Sequence, residues 1–334
     1  MKRTFLMSAI LVGAASVGAA AHAVSPAAPL TTMAVRHIEA QGRSIGDFVV
    51  DAEPSPAYPK GTLLAKTWDV AVPGTLGISR VDLATRSVIG YVALGPPPPD
   101  GEQGSTLLAR GTSGVVVATK GSGALTLTWL ADGPAIRARV AILASNLGRS
   151  FELFGLAAFD RRVIVVDGNS GTAFVFEEGG KLVAKYACGG GFYHPGMATI
   201  EHWGDLAVLT NLGTEEGDGR SLVCAFRVDR PGRLQRQTLP HGDLFALAGN
   251  LYLAQWDADI RRVGADLRLT GDAVADPRPA PWQKEPACQG ITGTSSLHSS
   301  RVSGLWVVDT FDCCGDQSPS GLFICDPEAS ASHR

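Results

Sequence analysis

Glu152, His194, His241 and Asp243 are the side chains of this sequence best suited to act together. Two carboxylates and two imidazoles can hold a divalent ion. Oxygen ligands suit calcium or magnesium, and the imidazoles shift the preference toward manganese, iron or zinc. Such an ion would polarise a carbonyl or acidify a water. Whichever of Glu152 and Asp243 is left unligated would serve as general base. Tyr193, Trp256 and Gln289 are the accompanying candidates for substrate contact. These residues are far apart in the chain, so a fold must gather them.

The stretch from Gly155 to Tyr186 indicates which fold. Val163-Ile-Val-Val166 is a β-branched run too short for a helix, and suits a strand buried on both faces. Asp167-Gly-Asn-Ser-Gly171 supplies the residues a tight hairpin needs, and Thr172–Phe176 makes the next strand. Glu178-Gly-Gly180 turns the chain into Lys181–Tyr186. A lone four-stranded sheet is marginal, so it must stack on others like itself.

Weaker copies run along most of the chain. The first is expected over Gly46–Asp51, Thr62–Val70, Leu76–Val81 and Val88–Leu94. The second covers Thr106–Arg110, Val115–Thr119, Ala124–Leu130 and Ile136–Leu143. The fourth covers Gly196–Ile200, Leu206–Thr210, Ser221–Val228 and Arg233–Leu239, and the fifth Leu244–Leu247, Leu251–Gln255, Asp259–Val263 and Leu267–Thr270. A sixth, Gly290–Ser295, Leu305–Thr310 and Gly321–Cys325, runs out after three strands. Thr67, Thr119, Asp167, Thr210, Gln255 and Asp309 mark the second strands, at intervals of 52, 48, 43, 45 and 54 residues. That is the spacing of propeller blades.

The expectation is therefore an all-β chain. It forms a single β-propeller over residues 31–326, of six four-stranded blades, with Thr31–Glu39 completing the last one. Joining the two chain ends in one sheet removes two open edges. A hidden partial sheet in Gly46–Gly61 would make the count seven. In such a ring the innermost strands start at one mouth of the channel. The residues just before them, Asp47, Glu102 or Gln103, Glu152, Tyr193-His194, His241 with Asp243, and Gln289, would converge there.

Gly155-Leu-Ala, Val163–Asn169, Thr172–Phe176 and Gly180-Lys-Leu together resemble an NHL-type blade, and are similar to blades of SMP-30/gluconolactonase-like proteins. The resemblance implies a lactone-type substrate and a Glu, an Asn and an Asp around an ion. Glu152, Asn169 or Asn211, and Asp243 or Asp257 are the matching residues, and the two histidines depart from that set. Propellers also serve as pure binding modules. The two readings are thus a metal-dependent hydrolase of a small lactone, ester or sugar acid, and a non-catalytic envelope propeller recognising a protein or glycan.

Other signals bound the setting. Lys2-Arg3, the apolar run from Phe5 to about Val17 and Ala21-His-Ala23 read as a secretory signal over residues 1–23. A Pro/Ala-rich leader follows to residue 30, and residues 327–334 read as a tail. The product is expected to be exported, periplasmic or extracellular, with no transmembrane segment. All six cysteines lie beyond residue 23, which permits disulfides, and Cys188 and Cys224 fall in neighbouring repeats. The formal net charge of −3 becomes −5 without Lys2 and Arg3, and there is no basic patch for nucleic acid. Gly-x-Ser-x-Gly is absent around Ser295, Ser296 and His298. Asp309–Asp316, with Cys313 and Cys314, reads as a turn stapled to Cys325 or as a calcium loop.

Overall fold

The structure is a computed structural model. It describes residues 34–37, 43–52, 54–69, 76–95, 106–121, 123–131, 133–148, 150–189, 200–213, 220–229, 232–240, 242–255, 260–275, 295–302, 305–311 and 321–326. All of them belong to one compact unit. The expected signal, leader and tail lie outside the described residues.

After the short strand β1 (Ala34–His37) the chain lays down antiparallel meanders of four strands each. The first is β2 (Arg43–Ala52), β3 (Thr62–Asp69), β4 (Leu76–Asp82) and β5 (Ser87–Gly95). The second is β6 (Thr106–Gly111), β7 (Gly114–Lys120), β8 (Ala124–Leu130) and β9 (Ile136–Leu143). The third is β10 (Leu153–Phe159), β11 (Arg162–Asp167), β12 (Thr172–Glu177) and β13 (Leu182–Ala187). The fourth is β14 (Ile200–Trp203), β15 (Leu206–Gly213), β16 (Arg220–Arg227) and β17 (Gln235–Pro240). The fifth is β18 (Gly242–Leu247), β19 (Asn250–Gln255), β20 (Ile260–Val263) and β21 (Leu269–Val274). Finally β22 (Ser295–Val302), β23 (Leu305–Phe311) and β24 (Gly321–Asp326) pair antiparallel, and β1 pairs with β24, Ala34 opposite Asp326 and His37 opposite Phe323.

The first strands of successive sheets lie side by side, β2 on β6, β6 on β10, β10 on β14 and β14 on β18. Sheets that pack face to face in chain order, with first strands innermost and fourth strands outermost, make a β-propeller. The burial follows. In the third sheet β11 and β12 are buried on both faces, whereas β13 is exposed or half-buried everywhere except Tyr186. The period of two divides that sheet between its neighbours. Val163, Val165, Phe174 and Phe176 pack toward the second sheet with Leu125, Leu127 and Trp129. Ile164, Val166, Ala173 and Val175 pack toward the fourth with Ala207, Leu209 and Phe226.

Two links tighten these faces. Cys188, just past β13, is disulfide-bonded to Cys224 on β16, with Cα atoms 5.7 Å apart. The bond crosses from the third sheet to the fourth, the pairing that the cysteine positions permitted. Tyr186 stacks on Phe226 with ring centroids 4.1 Å apart, and its hydroxyl donates to the Arg227 carbonyl at 2.9 Å. Gly180 (φ +82°) turns the chain into β13 against the second sheet, where an added Cβ would meet Val140 Cγ1 at 2.4 Å. Only glycine fits there.

Three strands differ from the sequence expectation. In the fourth repeat the innermost strand is β14, Ile200–Trp203, and all of Gly196–Ile200 except Ile200 lies outside the described residues. In the fifth, Leu267 is not in the outer strand. It is buried with φ +61° in the turn after β20, its N–H donating to the Gly264 carbonyl, so β21 starts at Leu269. In the last repeat β22 runs over Ser295–Val302 rather than Gly290–Ser295. This Ser-Ser-Leu-His-Ser-Ser-Arg-Val stretch lacks a strand-like composition, and its pairing with β23 decides its state.

Candidate functional site

First strands begin at one rim, here the upper, and end at the lower rim in hairpins leading to the second strands. Leu153 of β10 pairs with Asp167 of β11, so Glu152 and the Asp167–Gly171 turn share the upper rim. The Asp167 side chain is only 4% exposed and organises this corner. Its carboxylate accepts from the backbone N–H of Glu152 at 2.9 Å and of Asn169 at 3.2 Å, and from the Ser170 hydroxyl at 2.5 Å. Gly168 N–H donates back to the Glu152 carbonyl at 2.9 Å, and Asn169 Nδ2 donates to the Ser150 carbonyl. The backbone of Glu152 is thereby fixed while the residue itself is exposed. Asn169, a match for a metal-ligating Asn, uses its amide to hold this loop.

Asp167→Ala strands these donors. It is expected to cost about 2 kcal/mol in urea unfolding, and Asp167→Asn less than half of that because one acceptor remains.

Asp243 is the second residue of β18, opposite Ala254, and so belongs by register to the same upper rim, two sheets from Glu152. Tyr193, His194, His241, Trp256 and Gln289 lie outside the described residues. Among the described residues no three His, Cys, Asp or Glu side chains gather closely enough to hold an ion.

The lower rim was not singled out from the sequence, yet its side chains stitch successive sheets together. Arg110, at the end of β6, donates through Nη1 to the Val50 carbonyl at 2.8 Å and to the Asp51 carbonyl on β2. The Thr112 and Ser113 hydroxyls donate to the Asp160 carboxylate and carbonyl, both at 2.9 Å, linking the second sheet to the third. Phe159 meets His202 of β14 edge to face, centroids 4.7 Å apart. Trp203 Nε1 then donates to the Gly249 carbonyl in the turn after β18 at 3.0 Å. Arg110, Thr112, Phe159, Asp160 and His202 line a cleft of about 440 Å³. Each lies at a strand end or in the hairpin turn beside it and gains a partner only when the sheets pack.

Beside them Glu201 of β14 reaches the next first strand. The Ala246 N–H donates to its Oε2 at 3.4 Å. Burial pushes this carboxyl up to about 7, opposed by the Ala246 bond. The folded protein thus holds the Glu201 proton more tightly than the unfolded chain, whose carboxyl titrates near ~4.3. The stability this confers is full below that value and is lost as the pH rises through about 7. The urea midpoint should therefore fall between about pH 5 and pH 8. Glu201→Gln should remove this part of the fall and exceed the parent at about pH 8 by on the order of 2–3 kcal/mol.

The fold and rims define a β-propeller, and comparison with known proteins takes this no further. No family model matches the chain, and neither does any curated protein. Among solved structures it is similar to the WD40 domain of SCAP from fission yeast, at 15% identity and a TM-score of 0.42. That match covers 83% of this chain and 61% of the other, so the chain spans about three fifths of it. It is also similar to a luciferin-regenerating enzyme, at 10% identity and TM-score 0.45, covering 88% of this chain and 95% of that one. BamB from Moraxella catarrhalis matches at 10% identity and TM-score 0.36, covering 88% and 98%. The architecture rests on the sheet order, and no activity is carried over from these proteins. Among the described residues no helix is long and apolar enough to cross a membrane.

Proposed function

We propose that this is an exported six-bladed propeller, akin to the NHL and SMP-30/gluconolactonase-like proteins. It hydrolyses a small lactone, ester or sugar acid at its upper mouth. A divalent ion (calcium, magnesium, manganese or zinc) is held there among Glu152, His194, His241 and Asp243, with Tyr193, Trp256 and Gln289 against the substrate. The observation that carries the reading is the clamp on Glu152. A buried carboxylate and a turn amide fix the backbone of an exposed acid at the rim where first strands begin. Asp243 is at the same rim by register. A ligand whose backbone is fixed before the ion arrives costs less to order on binding. The bound ion supplies Lewis acidity, and Glu152 or Asp243, when not a ligand, takes the proton from the attacking water.

Six blades and closure are supported by the β1–β24 pairing and by the packing of β2 against β22, β23 and β24. The Cys188–Cys224 disulfide is compatible with an oxidising compartment. The experiment is the metal content of natively purified protein and its loss in Glu152→Ala and His241→Ala.

A second reading, a non-catalytic envelope propeller that binds a protein or glycan, is favoured by the lower rim. There polar side chains tie consecutive sheets into a rigid frame. Under it both substitutions leave partner binding intact.

A further inference from the structure

The lower cleft has a charge arrangement that stitching alone does not account for. Arg110 and Asp160 line the same cleft from adjacent hairpins, yet neither is in an ion pair among the described residues. Arg110 is anchored by Nη1 alone, on the Val50 and Asp51 carbonyls, which leaves Nε and Nη2 as donors. Asp160 is anchored by Oδ1 on the Thr112 hydroxyl and by its carbonyl on Ser113, which leaves Oδ2 as an acceptor. Both charges are thus held in position by neutral partners. On the third and fourth sheets Phe159 and His202, packed edge to face, line the same cleft and offer it an aromatic wall.

We propose that this cleft binds a zwitterionic α-amino acid with an apolar side chain. The carboxylate takes the guanidinium of Arg110, the ammonium takes Asp160 Oδ2, and the side chain rests on Phe159 and His202. The electrostatics select this class. A simple anion gains Arg110 but faces the Asp160 carboxylate, and a simple cation has the mirror problem. A ligand with both charges on one carbon satisfies both at once. The volume of about 440 Å³ accommodates a single amino acid with bridging water. The site is at the rim opposite Glu152 and owes nothing to a metal.

Calorimetric titration of the full chain in EDTA tests it without involving the upper mouth. L-Leucine is expected to bind with a Kd on the order of 1 mM. 4-Methylpentanoate, which lacks the ammonium, and isoamylamine, which lacks the carboxylate, should each bind at least about tenfold more weakly. Arg110→Gln should bring leucine down to the affinity of isoamylamine. Asp160→Asn keeps the oxygen that Thr112 bonds and should bring leucine down to that of 4-methylpentanoate. Because Arg110 also ties two sheets, Asp160→Asn decides if Arg110→Gln fails to fold. No leucine heat up to roughly 20 mM, equal affinity for the three probes, or leucine binding unchanged in Asp160→Asn would each overturn the assignment.

Discussion

Replacing Cys188 and Cys224 together by alanine is expected to destabilise the protein by about 4 kcal/mol. The bond closes a loop with a sequence separation of 36, and the chain-entropy cost of such a loop in the unfolded state has about this size. The structure adds to the cost. Both cysteines are fully buried in the core shared by the third and fourth sheets, beside Tyr186 and Phe226. Alanine leaves that core short of two sulfur atoms. Because the link joins adjacent sheets, its loss should first loosen the seam between them. Hydrogen exchange should rise in β13 and β16 before it rises in β7 or β8. Urea unfolding of the double variant against the oxidised parent gives the magnitude. A difference under about 1 kcal/mol, or a parent indifferent to reductant, would mean that this bond does not hold the seam in solution.

How legible the fold was depends on local chemistry. In the first three repeats strand bounds read from the sequence agree with the structure to within a few residues, because β-branched runs such as Val163-Ile-Val-Val166 are bounded by turns rich in Gly, Asn and Asp. β22 escaped because Ser295–Arg301 has no such signature, and a strand of that composition exists only through its partner. Leu267 escaped for the opposite reason, since a buried leucine at φ +61° looks like strand in sequence and is turn in space.

The site divides along the same line. Glu152 could be found because a rule about where innermost strands begin needs only strand bounds. Asp47 failed that rule, since β2 starts at Arg43 and Asp47 falls at an irregularity inside the strand between Gly46 and Phe48. Arg110, Asp160 and His202 left no signal, being residues at strand ends and in a turn of three separate hairpins that meet only through sheet packing. Glu201 did leave one, a carboxylate beside Ile200 on an innermost strand.

The second large effect concerns the upper mouth. A set of two carboxylates and two imidazoles loses most of its affinity with either kind of donor, because the remaining ligands neither neutralise nor enclose the ion. Glu152→Ala removes a carboxylate whose backbone the Asp167 corner fixes, so the deletion leaves that corner folded and the far upper rim untouched. His241→Ala removes an imidazole just before β18. Each variant is expected to lose the ion and any hydrolytic turnover while keeping the parent's urea midpoint. Asp167→Ala should weaken ion binding without abolishing it, since it frees the loop and leaves every proposed ligand in the chain.

Metal content of the protein purified natively, without chelators, from an exporting host is the most direct test. About one equivalent of a divalent ion in the parent, and less than about a tenth in both Glu152→Ala and His241→Ala, is the predicted result. Less than about a tenth of an equivalent in the parent, with no rebinding of calcium, magnesium, manganese or zinc, would contradict the metalloenzyme account and leave a binding propeller.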